Sequence, residues 1–308
     1  MSETDLGLWA VPLAMLAGAI RVSTPFLFVS LGECLTERSG RINLGLEGTL
    51  VFGAMAGYAI AFETGSAWAG VGAAAIAGIV FGYVHGLLCS LPKVNDIAIG
   101  IALMILGMGL AFFFGKSYIQ PVAPQLPSIP LGFWAESPQL RSALQVNVLF
   151  LIGAVAAVGL WWMFRSTRLG LVIRVVGDST DAARATGLRP NRVRVLSTAA
   201  GGAFAGIGGA YLSLYYPGSW NEGISSGQGL MAVALVIFAR WNPILCFWAA
   251  LLFGGAGALG PALQSVGVSQ GYYLFYAAPY VLTLLVLIAT SSPNRAMTGA
   301  PAELSITK

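Results

Sequence analysis

The 308-residue chain is 57% hydrophobic and 9% charged, with 40 glycines, a mean hydropathy of +0.79, a formal charge of +4 and a pI near 9.1. A charged share about a third of that in soluble domains excludes a water-soluble globule, and the basic excess sits in discrete loops, so it does not point to a nucleic-acid partner. Apolar runs recur at about the twenty residues a helix needs to cross a bilayer, which predicts an all-α, polytopic membrane domain over residues 1–308 with about nine (8–10) spans, some discontinuous.

The N-terminus, MSETDLGLWAVPLAML, carries acids where a secretory signal carries bases, and is expected to open a retained span over Leu6 to Leu31. Arg21, Ser23, Thr24 and Pro25 lie near its middle, where a charge faces either a structural ion pair or a wet path. The polar stretch GECLTERSGRINLGLEG follows. Asn43, Gly45, Glu47 and Gly48 lie too close to the next apolar run, LVFGAMAGYAIAF, for a free loop. They predict a helix broken inside the membrane, which hydrocarbon tolerates only where protein or water satisfies the backbone.

A third span, Trp68 to Leu91, carries the single histidine, His85, as a hydrogen-bonded packing residue, and Gly78, Gly82 and Gly86 as a seam for close helix contact. Asn95 or Asp96 caps a fourth span, Ile97 to Phe114. From Gly115 to Gln145 the periodicity lapses. Pro121, Pro124, Pro127, Pro130 and Pro138 forbid a long helix there and leave the longest outer segment. A fifth span covers Val146 to Phe164.

Seven of the sixteen basic residues then fall between Arg165 and Arg194. By the bias of Lys and Arg toward the cytoplasm, this stretch is a cytoplasmic loop. It contains a short helix: Asp178 or Ser179 as N-cap, Asp181 in the first turn, Ala182 and Ala183 as helix formers, and Gly187 as terminator. The loop serves either as an ordinary basic tether or as a docking element for a soluble partner. After it come a Gly-rich span (Leu196 to Tyr215), the outer turn YYPGSWNEGISSGQG, a run too short to cross alone (Gly229 to Phe238), two final spans (Ile244 to Leu259, Tyr272 to Thr290) and a polar tail over 291–308. Thirteen bases then fall inside and two outside, with Arg21 in the membrane, so the N-terminus lies outside and the C-terminus in the cytoplasm.

Several motifs point elsewhere. GLAFFFGKS has five residues where a phosphate loop has four, and GAGALG sits in an apolar helix, so neither marks a nucleotide site. GISSG around Ser225 spells a nucleophile elbow for which His85 would be the base, an intramembrane serine protease. Cys34, Cys89 and Cys246 have neither metal-ligand nor disulfide spacing. Trp220 and Trp241 stack on a ligand base or anchor the membrane interface. The two polar breaks, with Asn43 and Glu47 in one half and Glu222 and Gln228 in the other, point to a solute path between the halves. No ATP site accompanies them, so energy enters through a partner at the basic loop, or the chain is a stand-alone secondary transporter driven by an ion gradient.

ERSGRINLGLEG, GLVIRVVGDSTDAARATGL, GQGLMAVALVIFARWNP and LFGGAGAL, in that order, resemble the permease subunits of ABC importers for branched-chain amino acids, ribose and nucleosides, in the nucleoside and simple-sugar branch. Arg41 and Met104 depart from the pattern, at positions where an apolar residue and Asn are expected. The resemblance implies a bacterial inner-membrane subunit without cofactor or catalytic residue of its own. Its partners would be a second related permease, a cytoplasmic ATPase that binds ATP and Mg, and an extracytoplasmic solute-binding protein. It places Gly170, Arg174, Gly177, Asp178, Asp181, Ala182, Ala183 and Gly187 in the loop that couples to the ATPase, and Asn43, Gly45, Glu47 and Gly48 in the substrate path. The outer segments near Pro121 to Arg141 and Trp220 to Gln228 would receive the binding protein.

Overall fold

A computed structural model of the chain describes residues 10–131, 133–134, 144–265, 275, 277–290 and 299–305. The expected start of the first span at Leu6, the Pro138 to Arg141 part of the outer segment, the Tyr272 start of the last span, and Arg295 and Lys308 lie outside these residues. The helices are α1 (Ala10–Arg38), α2 (Leu46–Thr64), α3 (Ala67–Leu88), α4 (Asp96–Gly115), α5 (Val148–Ser166), α6 (Arg168–Asp178), α7 (Thr180–Ala185), α8 (Pro190–Leu214), α9 (Gln228–Phe238), α10 (Pro243–Ser265), α11 (Ala278–Thr290) and α12 (Ala302–Ser305). Among the described residues, α1, α3, α4, α5, α8 and α10 contain stretches long and apolar enough to cross a membrane. The chain is an all-α, polytopic membrane protein.

Local chemistry sets the helix starts. The Asn95 side-chain oxygen accepts the Ile97 and Ala98 amides at 2.9 and 3.1 Å, and Asn147 accepts the Leu149 amide at 2.8 Å, so α4 and α5 each begin on a capped amide. Beyond Asp96 in its first turn, α4 carries no polar side chain and leaves Ile105, Phe113 and Phe114 exposed, a surface suited to lipid rather than water. The outer segment holds one feature that its prolines do not announce: β1 (Ser128–Pro130) pairs antiparallel with β2 (Gln145–Asn147), with Ile129 opposite Val146.

Helix α8 is the centre of the bundle and packs on α1, α2 and α3. Without a hydrophobic drive between apolar helices in lipid, close packing needs small residues. The predicted seam supplies them: a Cβ on Gly78 would overlap the Gly202 carbonyl, one on Gly82 would overlap the Thr198 carbonyl, and one on Gly86 would come within 2.8 Å of Val195 Cα.

Two expectations are corrected. The first span, expected to end at Leu31, continues as helix to Arg38. Glu33 and Glu37 are buried inside α1, where they accept the Asn43 amide and the Trp241 indole N–H. Protein donors replace water, so the helix continues and the break is confined to residues 39–45. Likewise the arginine-rich stretch before Ser179 is helical. Thr167 accepts the Gly170 amide at 3.1 Å and starts α6, whose arginines lie among Leu169, Val172, Ile173 and Val176.

Candidate functional site

The two predicted breaks meet. The Asn43 amide donates to Glu33 Oε1 at 2.7 Å, and the Asn43 side-chain oxygen accepts the Gly45 amide at 2.9 Å, so the turn before α2 is pinned to α1. The other break ends at Gly227, whose φ of +80° is the left-handed conformation glycine adopts without strain. No side chain of its own segment caps α9. Glu47 of α2 does so instead: Oε1 accepts the Ser225 hydroxyl at 2.6 Å and the Gly227 amide at 3.1 Å, and Oε2 accepts the Gly229 amide at 2.6 Å. A carboxylate 5% exposed is thus satisfied by amides at a helix N-terminus, where the helix dipole favours negative charge. Close approach requires glycines. A Cβ on Gly229 would lie 2.7 Å from Glu47 Cα, and one on Gly48 would lie 2.5 Å from the Met104 carbonyl oxygen of α4.

Beside this junction is a cavity of about 510 Å³, within the range that holds small ligands. Its polar lining is Arg21 of α1, Tyr216, Asn221 and Ser226 of the turn, Gln228 of α9 and Tyr280 of α11. The Tyr280 hydroxyl donates to the Ser226 carbonyl at 3.2 Å, and Gln228 Oε1, buried there, has no donor among the described residues. Pro25 of α1 and Pro261 of α10 interrupt the backbone ladder along two of the walls. Gln228 therefore lies on the cavity. Asn43, Gly45, Glu47 and Gly48 stand behind it and join it through the Glu47 bonds. Glu222 is exposed and absent from the lining, although its neighbours Asn221 and Gly223 form part of it.

Sequence reasoning missed Ser226, Tyr216 and Tyr280, which carry no signal beyond their polarity. Trp220 and Trp241 neither line the cavity nor anchor an interface. Both are buried, Trp220 donating to the Gly115 carbonyl at 2.9 Å and Trp241 to Glu37. Ser225 is bonded to Glu47, whereas His85 Nε2 lies 3.1 Å from the Ile42 carbonyl, so the pair required by the protease alternative does not form. Arg41 pairs with Asp96 at 2.7 Å.

The second group of expected residues lies on α6 and α7. Gly170 packs α6 against the Met163 carbonyl of α5, and Gly177 packs it against the Arg38 carbonyl at the end of α1. Asp178 does not begin the short helix. It is the exposed last residue of α6, and Ser179 caps α7 by accepting the Ala182 amide at 3.2 Å. Asp181 lies in the first turn, 3.6 Å from Arg184. Ala183 is buried, while Asp181, Ala182 and Arg184 are exposed, and Gly187 at φ +80° ends the turn with no neighbour within 4 Å of its would-be Cβ. Arg174 is half-buried, with its Nε unsatisfied among the described residues. The helix pair thus rests one face on α1 and α5 and presents the other outward.

A family model described as the permease component of the branched-chain amino acid transport system matches residues 10–291, and the chain belongs to this family. It is a transmembrane permease subunit of an ATP-binding-cassette importer, a transport component rather than an enzyme. It is similar to the putative glucose ABC transporter permease protein TsgC13 of Haloferax volcanii, 34% identical over 83% of this chain and 79% of that protein. The nucleoside ABC transporter permease protein NupC of Lactococcus lactis is 27% identical over 89% of this chain and 90% of its own, and the guanosine ABC transporter permease protein NupQ of Bacillus subtilis 28% identical over 86% and 88%. The first two organisms each hold a second matching permease, TsgB13 and NupB, both 24% identical to this chain.

Proposed function

We propose that the chain passes a nucleoside or simple sugar, handed over by an extracytoplasmic binding protein, into the cytoplasm by alternating access, with α6 and α7 docked on a separate cytoplasmic ATPase that binds ATP and Mg. The carrying observation is the Glu47 tie between the starts of α2 and α9, beside the 510 Å³ cavity. Two helices that begin on one shared carboxylate move together or part together, which is the two-arrangement behaviour a gate needs. The cavity's guanidinium, amide, hydroxyl and aromatic lining suits a polyhydroxylated solute, and the names of the glucose and nucleoside permeases that the chain resembles support that class.

In this reading the arginine-rich end of the bundle faces the cytoplasm of a bacterial cell and the N-terminus lies outside. The outward face of α7, with Asp181, Ala182 and Arg184, enters the ATPase groove, and Arg174 supports it from α6. A second, related permease completes the pathway, as the paired relatives in two organisms suggest. The test is uptake of labelled guanosine and of glucose into proteoliposomes holding the full complex. Deleting residues 178–187 is expected to abolish ATP-dependent uptake while the chain still inserts. Undiminished uptake after that deletion, or full uptake by the chain alone on an ion gradient, would overturn the proposal.

A further inference from the structure

Residues 299–305 of the tail are packed on the bundle. Gly299 lies against the Arg240 carbonyl, Leu304 packs on the apolar core, and Glu303 reaches the base of α7. There Oε1 accepts the Thr180 amide at 2.7 Å, and Oε2 lies 3.3 Å from Arg194 Nη2. Arg194 differs from the other arginines of the basic stretch in being buried, 7% exposed. It is a hub: Nε donates to the Ser39 carbonyl at 3.2 Å, and Nη2 to the Thr180 hydroxyl at 2.9 Å and the Val176 carbonyl at 3.4 Å. Glu303 is its ion-pair partner among the described residues. A buried cation without its counter-charge does not hold its place.

We infer that Glu303 is a positioning residue for energy coupling: it fastens α7 to Arg194 and through it to the Ser39–Gly40 turn, so that displacement of α7 is passed to the break that leads into Glu47. The inference rests on the proposed docking of α7 on an ATPase. Its geometric basis is the convergence of four segments on one guanidinium. The end of α6, the start of α7, the turn after α1 and the C-terminal segment all meet Arg194. A Cβ on Gly40 would stand 3.0 Å from Glu303 Cβ and 3.3 Å from Gly177 Cα, so the same turn also touches tail and α6 directly.

The test uses the complete importer, with its ATPase, compared nucleotide-free and trapped with ATP and vanadate, and reads hydrogen exchange in peptides covering 39–45 and 179–187. In the wild type both peptides change on trapping. In Glu303→Gln, an isosteric change, the 179–187 peptide still responds and the 39–45 response falls by at least about fivefold, the lower end of ordinary coupling between sites. Thr180→Pro is the second variant. Proline is well accepted at the first helical position and Ser179 is already extended, yet the N–H that Glu303 accepts and the hydroxyl to which Arg194 donates are both gone, so both fastenings of α7 to this hub are cut. It behaves like Glu303→Gln, the double variant is no worse than either, and Glu303→Asp recovers part of the response. If the 39–45 response survives at full size in both single variants, the inference is wrong while the docking proposal stands. If the wild-type 179–187 peptide ignores nucleotide, the docking proposal itself fails.

Discussion

The Glu47 carboxylate of α2 lies 2.6 Å from the Gly229 amide of α9, across 182 positions of sequence. With the Ser225 hydroxyl and the Gly227 amide it completes a three-donor set around one buried acceptor pair. Glu47→Ala orphans all three donors, each at about 1–3 kcal/mol. Glu47→Gln keeps one acceptor oxygen and turns an NH2 toward a donor. Ser225→Ala removes one bond, worth about 0.5–1.5 kcal/mol. Thermal unfolding in detergent is therefore expected to show the largest destabilisation for Glu47→Ala, less for Glu47→Gln and least for Ser225→Ala, and both Glu47 variants are expected to slow uptake in proteoliposomes. Equal melting temperatures for wild type and Glu47→Ala would contradict this account.

Gly72 and Gly78 share α3 but not a role. A Cβ on Gly78 collides with backbone of α8, whereas one on Gly72 meets nothing within 4 Å. Gly78→Ala is expected to destabilise by about 1–3 kcal/mol through overpacking. Gly72→Ala is expected to be neutral or to stabilise by up to about 1 kcal/mol through helix propensity. Side-by-side denaturation of the two variants checks the contrast.

The same logic separates Gly177 from Gly187. An alanine at 177 pushes α6 off the Arg38 carbonyl, and so is expected to lower solute moved per ATP hydrolysed in the assembled importer. An alanine at 187 touches nothing and bears only the strain of φ +80°, roughly 1 kcal/mol. Its transport-to-hydrolysis ratio is expected to fall less than that of Gly177→Ala.

Burial pushes the Glu303 carboxyl up, but hydrogen bonds from Thr180 and the charge of Arg194 outweigh it and hold its pKa below the ordinary glutamate value. For a carboxylate lowered on folding, the stabilisation is complete above the unfolded pKa, about 4.3. It is lost only as pH falls through the lowered value. The distance between spin labels at Ala185 and Ala302 is thus expected to be constant from about pH 8 down to about pH 5 and to broaden only in stronger acid. Broadening near neutral pH would contradict the lowered pKa.

Much of this was readable from residues whose meaning is local. Asn95 before an apolar run announces a cap, glycines every fourth position announce a seam, and the apolar run from Gly229 to Phe238 is too short for the bilayer. What lay outside reach was partnership across the chain. Glu47 is visibly a charge beside an apolar run, but nothing near it names Gly229 as its donor. Glu33 and Glu37 look like loop residues until the Asn43 amide and the Trp241 indole are placed beside them. Glu222 is off the cavity lining, since polarity alone does not say which side of a turn faces the cavity. The α6 helix was hidden because its arginines mark solvent, while its start rests on a single threonine, Thr167.

The α3–α8 seam limits how this protein changes shape. Where Gly78 and Gly82 lie on carbonyl oxygens and Gly86 on the Val195 Cα along three successive turns, the two rods have no clearance to slide along one another. The two travel as a keel, and opening falls to its flanks, where the start of α9 is held by the Glu47 carboxylate and α11 reaches the turn before α9 through the Tyr280 hydroxyl.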